Sequence, residues 1–173
     1  MKHPIMVIET DQAVIRVELM PESAPAAVQS VIDIAKKGLY DNREIRRIAP
    51  GFVVQPSFTG FDVPELNKEI PGEFAANGFE NGAVMKERSV CMAGDGKSTA
   101  SCSEFFFCLT DETGARLQGR VPVIGTVTAG WEEVKRLEKV PAHRYYPEGY
   151  EDVVIYLPDT PEHMKKVFII ENN

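Results

Sequence analysis

Arg47 and Phe52 stand either side of a Pro-Gly pair, so one short turn brings a fixed positive charge near an aromatic ring. Within Ile45-Arg46-Arg47-Ile48-Ala49-Pro50-Gly51-Phe52-Val53-Val54-Gln55, Pro50 presets φ at one central turn position and Gly51 supplies the positive φ at the next. Pairing Ala49 with Phe52 is expected to put Arg47, Phe52 and Val54 on one face of the hairpin and Ile48, Val53 and Gln55 on the other, unless a bulge intervenes. Two readings are open: an exposed arginine lying over a ring, or the centre of a binding site. The other residues able to do chemistry are less organised. Gly94–Ala100 is glycine-bearing but lacks the full Walker spacing, so phosphate binding is not supported. His3, His143 and His163 are scattered without ligand spacing, and no metal is expected. Cys91, Cys102 and Cys108 are odd in number with no CxxC pair, which favours a reducing compartment over a disulfide scaffold.

The elements that must position these residues are mostly short strands. Ile5–Thr10 and Ala13–Leu19 flank Asp11-Gln12 as a hairpin, and the second run alternates polar and apolar side chains. A helix follows, with Ser23 as candidate cap, Pro25 in the first turn and Gly38 at its end. Its Ala24, Ala27, Val28, Val31, Ile32 and Ala35 recur at helical spacing. Glu44–Ile48 and Phe52–Gln55 form the second hairpin, and residues 56–82 are irregular and long enough to suggest function. Ser89–Ala93, Phe105–Leu109 and Val121–Val127 read as strands, Trp131–Lys139 as a second helix, and Val153–Leu157 and Lys166–Ile170 as two tail strands. A single mainly β domain over residues 1–173, barrel or sandwich, is expected from 173 residues.

Net charge is −7, from 19 basic and 26 acidic side chains, which argues against nucleic acid as a partner. No leader-type or membrane-length apolar segment is evident, and a cytoplasmic location is expected.

Taken with Ser103-Glu104-Phe105-Phe106 and Leu117-Gln118-Gly119-Arg120-Val121-Pro122-Val123-Ile124-Gly125, the Arg47 segment resembles the cyclophilins, a family of peptidyl-prolyl cis–trans isomerases. Pro21-Glu22-Ser23-Ala24-Pro25, Lys37-Gly38-Leu39-Tyr40-Asp41 and Cys91-Met92-Ala93 match in the same order, so the resemblance runs from about Ile5 to Val140. It implies a closed eight-stranded antiparallel barrel capped by two α-helices. One tail run would close the barrel and the other would be an addition, in an atypical region at about 141–173. The resemblance also implies roles. Arg47 matches the catalytic arginine, Phe52 and Phe106 the aromatics that hold the proline ring, Leu117 a pocket leucine and Gln55 the glutamine that bonds the substrate backbone. Val53, Ala93, Glu104 and Val121 fall at further substrate-binding positions. The implied partners are proline-containing peptides and unfolded chains, with no cofactor.

The chain also departs from the family. Ile45-Arg46 replaces Phe-His, Pro56-Ser57-Phe58 replaces Gly-Gly-Asp, Val53 replaces Met and Val121 replaces a rim histidine. Glu104 stands where Gln is common; it can pair with Arg47 in the site or with Arg46 at the surface. Arg116 stands where cyclosporin-sensitive members carry tryptophan, so weak binding of that drug is expected. Tyr145-Tyr146-Pro147-Glu148-Gly149-Tyr150 either extends a peptide groove or pins its loop to the barrel. Three functions follow: an isomerase of Xaa-Pro bonds, a non-catalytic proline-peptide-binding module with an eroded site, or a scaffold whose tail docks a partner.

Overall fold

The computed structural model of the chain describes residues 2–56, 62–80 and 82–172. The first hairpin forms as its alternation requires: β1 (Ile5–Thr10) and β2 (Val14–Leu19) pair antiparallel, with Met6, Ile8, Ile15, Val17 and Leu19 buried. Helix α1 (Pro25–Lys36) then lays Ala27, Val28, Val31, Ile32, Ile34 and Ala35 against this core. Its cap differs from the expectation. Ala24 is the N-cap residue, and the Ser23 hydroxyl instead donates to the Val123 carbonyl at 2.7 Å. The helix's exposed N–H groups are met from a distance: Ala26 and Ala27 donate to the buried Glu73 carboxylate at 2.9 and 3.0 Å. The dipole at a helix start favours an anion there, and the irregular segment after residue 56 delivers one.

The predicted strand Glu44–Ile48 is divided. β3 (Arg43–Glu44) pairs with the tail, whereas β4 (Arg47–Ala49) pairs with β5 (Val53–Gln55). Between them Ile45 N donates to Glu162 O (2.7 Å) and Arg46 N to Pro56 O (3.0 Å), so the chain changes partners at these two residues. β6 (Glu69–Pro71), β7 (Ser89–Gly94) and β8 (Thr99–Cys108) follow. Helix α2 (Asp111–Leu117) has no counterpart in the sequence reading. Only Thr113 and Gly114 are buried in it, so it carries no apolar stripe to read. Its start is nevertheless capped, Thr110 Oγ1 accepting from Thr113 N at 3.1 Å. Gly114 is required there, because a Cβ would meet the Met85 carbonyl oxygen at 2.3 Å. β9 (Val123–Ala129), α3 (Trp131–Glu138), β10 (Ala142–Arg144), β11 (Tyr156–Pro158) and β12 (His163–Ile170) complete the chain.

The twelve strands form one curled antiparallel sheet in the order β10-β11-β4-β5-β8-β7-β9-β2-β1-β12-β3, with β6 beside β8. The mainly β architecture is as expected, but the path between the described strands is open rather than a closed ring of eight, and three α-helices accompany it rather than two. The additional strands, β3, β6 and β10, are two or three residues long, too short to leave a periodic signature. Both tail runs join the sheet: β12 pairs with β1 along its length, and β11, shifted to Tyr156–Pro158, joins β4 and β10. No helix among the described residues is long and apolar enough to cross a membrane.

Buried side chains fall into two clusters. The larger joins α1, α3 and the first hairpin. The smaller consists of Ala49, Val53, Met85, Cys91, Phe106, Cys108 and Val123, with Phe52, Ala83, Leu117 and Val121 packed at its edge.

Candidate functional site

Val53 and Phe106 of the smaller cluster, with Phe52, Leu117 and Val121 at its edge, form the apolar floor of a cleft of about 620 Å³. β4 contributes Arg47, the turn Phe52, β5 Val53 and Gln55, β7 Ala93, β8 Glu104 and Phe106, the end of α2 Leu117, and the approach to β9 Val121. All nine residues singled out from the sequence therefore line one cavity, although they span positions 47 to 121.

The register of the β4–β5 hairpin corrects one expectation. Gly51 takes φ +74° and the turn closes through Phe52 N to Ala49 O at 2.9 Å. The ladder, however, resumes with Ala49 opposite Val53, Ile48 opposite Val54 and Arg47 opposite Gln55. Phe52 is thus an extra residue between turn and ladder, and one such residue moves every following side chain to the other face. Val54 enters the main core, while Val53 and Gln55 line the cleft beside Arg47. The turn is held from below, Gly51 N donating to Glu138 Oε2 of α3 at 2.7 Å.

Arg47 is half-buried and held on two sides. Its Nη1 donates to Gln55 Oε1 at 2.7 Å and its Nε to the Val154 carbonyl at 3.1 Å. Burial lowers the guanidinium to about 10, which leaves it charged at neutral pH. Gln55 is 1% exposed, and with Oε1 engaged by Arg47 its buried Nε2 meets no acceptor among the described residues. A buried donor left unmatched costs about 1–3 kcal/mol, a penalty that an incoming carbonyl oxygen removes. The combination of an apolar floor, a fixed cation and a buried amide donor suits a ligand with an apolar ring next to peptide carbonyls.

Other groups define the rim. The Arg116 guanidinium lies 5.3 Å from the centre of the Phe52 ring, on the outer side of the cleft. Arg46 approaches Glu44 at 3.8 Å, and Glu104 lines the cleft with Arg47. In the Gly94–Ala100 loop, Asp95 Oδ1 accepts from the N–H groups of Lys97, Ser98 and Thr99 at 2.8, 2.8 and 3.0 Å. These bonds hold the Asp95 carboxyl well below the usual range and occupy the donors that a phosphate would need. Leu66, Asn67, Lys68 and Glu69 of the irregular segment and Tyr150 of the tail also line the cleft. The length of that segment signalled a role, but no spacing named the residues. Of the departure at 56–58, Pro56 is buried, while Ser57 and Phe58 lie outside the described residues.

Residues 5–156 match the family model of cyclophilin-type peptidyl-prolyl cis–trans isomerases. A peptidyl-prolyl cis–trans isomerase of Helicobacter pylori strain J99 is 32% identical over 136 residues, covering 77% of this chain and 78% of that protein. A peptidyl-prolyl cis–trans isomerase-like 2 protein of Cryptococcus neoformans is 31% identical over 155 residues, covering 86% of this chain and 26% of the longer relative. Among solved structures, a Cryptosporidium parvum cyclophilin-type isomerase crystallised in the presence of the dipeptide Ala-Pro superposes with a TM-score of 0.74 at 19% identity, covering 97% of this chain and 99% of that one.

Proposed function

The chain belongs to the cyclophilin-type peptidyl-prolyl cis–trans isomerase family, and from that premise we propose that its cleft accelerates rotation about Xaa-Pro bonds in peptides and unfolded chains. In this reading Arg47 is the catalytic residue. Phe52, Val53, Phe106 and Leu117 hold the proline ring, Gln55 bonds the peptide backbone, and Ala93, Glu104 and Val121 border the chain on either side. The observation that carries the proposal is the pairing of Arg47 with Gln55 beside an apolar floor, with Gln55 Nε2 lacking an acceptor among the described residues. Ala-Pro, the dipeptide used with the structural neighbour, belongs to the same ligand class.

The chemistry needs little more. Rotation about a peptide bond faces roughly 18–20 kcal/mol because resonance must be broken, and an Xaa-Pro bond faces about 20 kcal/mol. In the twisted transition state the prolyl nitrogen becomes pyramidal and regains a lone pair. A fixed guanidinium donates to that nitrogen, or to the neighbouring carbonyl, more strongly than to the planar amide. Such differential binding lowers the barrier without any proton transfer. The ring stays in the apolar pocket while the carbonyl side turns. A location in the cytoplasm agrees with three free, buried cysteines.

A second reading, a module that binds proline peptides with little turnover, draws on Glu104, whose carboxylate shares the cleft with Arg47. An exchange assay on a short Xaa-Pro peptide, with Arg47→Ala beside the native protein, separates them. Isomerisation above the uncatalysed rate that is lost in Arg47→Ala supports the enzyme. Binding without exchange identifies the module, and neither binding nor exchange rejects both.

A further inference from the structure

The tail loop between β10 and β11, residues 145–155, reaches the cleft at two points. The Val154 carbonyl accepts from Arg47 Nε at 3.1 Å, and Tyr150 lines the cavity together with Arg47 and Phe52. Asp152, Val153 and Val154 also form one wall of an adjoining cavity of about 490 Å³, whose opposite wall is the Ala49–Phe52 turn and α2. Arg47 and Phe52 line both cavities, so the arginine stands at their junction.

The loop is anchored where this matters. Tyr145 N donates to Ile155 O at 2.9 Å, Ile155 is fully buried, and Tyr156 pairs with Ile48 next to Arg47. Two successive turns, Tyr150 N to Pro147 O and Val153 N to Tyr150 O at 3.0 Å each, shape the segment between the anchors. Arg47 is thus gripped by two elements far apart in sequence, Gln55 from β5 and Val154 from the tail. A donor held from both sides spends less freedom on meeting a transition state. Meanwhile Tyr145, Tyr146, Tyr150 and Val154 remain 42–62% exposed, and of these Tyr150 lines the cleft and Val154 the adjoining cavity.

On the reading of the cleft given above, we infer that residues 145–155 are a working wall of the isomerase site. Val154 is a positioning residue that aims Arg47 through its backbone carbonyl. Tyr150 is a specificity-determining residue that touches the peptide beside the Xaa-Pro pair and favours an apolar or aromatic side chain there.

Two variants test this: Tyr150→Ala, and replacement of residues 147–153 by Gly-Gly. Both are assayed with Xaa-Pro peptides carrying Phe or Ala beside the pair, by isomerisation and by binding titration. Tyr150→Ala is expected to act on KM and to narrow the preference for the Phe peptide about fivefold. The loop replacement is expected to lower kcat about tenfold or more while a cooperative melt shows the fold retained. It should also speed solvent exchange of the Arg47 Nε–H signal in NMR, a change that mere loss of surface packing does not produce. If the replacement fails to fold, the flank preference of Tyr150→Ala decides. If the native protein binds without turnover, the dissociation constants take the place of KM. Native kcat, KM and flank preference in both variants would overturn the proposal and leave the site reading intact. A native protein that neither binds nor isomerises rejects the site reading and this one with it.

Discussion

Arg47 and Gln55 stand directly opposite each other in the β4–β5 ladder, and the guanidinium donates to the amide oxygen at 2.7 Å. The contact leaves the amide nitrogen as the buried donor of the cleft. Gln55→Glu keeps an acceptor for Arg47 but removes that donor. We expect KM to rise about tenfold in a peptide isomerisation assay, with a smaller change in kcat. Arg47→Lys should lose about a hundredfold in kcat, because an ammonium cannot bond Gln55 and Val154 at once from a planar fork. Native rates in either variant would contradict the roles proposed for the pair.

The rate should not depend on pH between about 6 and 9. No histidine is among the described residues that line the cleft, and burial brings Arg47 down only to about 10, so the guanidinium keeps its charge across this range. Any loss tied to Arg47 lies on the alkaline side, as pH rises through that value. A limb near pH 7 in kcat/KM would point instead to general acid–base chemistry.

Glu73 caps α1 from 46 and 47 positions away, through Ala27 and Ala26. Glu73→Ala strips two helix N–H groups of their acceptor and should destabilise the fold by about 1–2 kcal/mol in denaturant unfolding. Ser23→Ala tests the displaced expectation. It removes the bond to Val123 O rather than a helix cap, and its effect should show at β9 by hydrogen exchange rather than at the start of α1.

Arg136 bridges Glu133 and Glu162 with four hydrogen bonds of 2.8–2.9 Å, tying α3 to the start of β12. Glu133, 3% exposed, also accepts from Thr10 Oγ1 at 2.7 Å. Burial pushes the Glu133 carboxyl up, but the bonds from Arg136 and Thr10 outweigh it and hold the group below its ordinary value. A carboxyl depressed in the folded state adds stability above its unfolded pKa of about 4.3, and that share is lost as pH falls through the folded value. Arg136→Met leaves a buried carboxylate unpaired and should cost about 3–5 kcal/mol at pH 7. The acid-side decline in melting temperature should be shallower in the variant than in the native protein; an equal slope would show that the network carries no such linkage.

Cyclosporin should bind weakly, since Arg116 stands at the rim where drug-sensitive relatives carry tryptophan, with its guanidinium over Phe52. Arg116→Trp is expected to raise affinity about tenfold or more in a calorimetric titration. Tight binding to the native protein would contradict this.

Local rules were enough for the parts whose partners lie close in the chain. Alternation placed β1 and β2, the spacing of Ala27, Val28, Val31 and Ala35 placed α1, and Pro50-Gly51 placed the turn. The ordered motifs also named nine residues that share one cleft. What escaped depends on contacts that no window contains. Gln55 reaches the face of Arg47 because Phe52 is left outside the ladder, and a shift of one residue is invisible in side-chain type. Helix α2 has no apolar stripe, and beyond the start signal of Thr110 with Asp111 and Glu112 it is its seat against Met85 that reveals it. The Glu73 cap and the Val154 grip on Arg47 join residues about 46 and 107 positions apart. Residue type and spacing determined the turn, the charge and the rings of the cleft. The curl of the sheet alone decided what holds them, because hydrogen bonds between distant segments exist only once the strands that carry them have met.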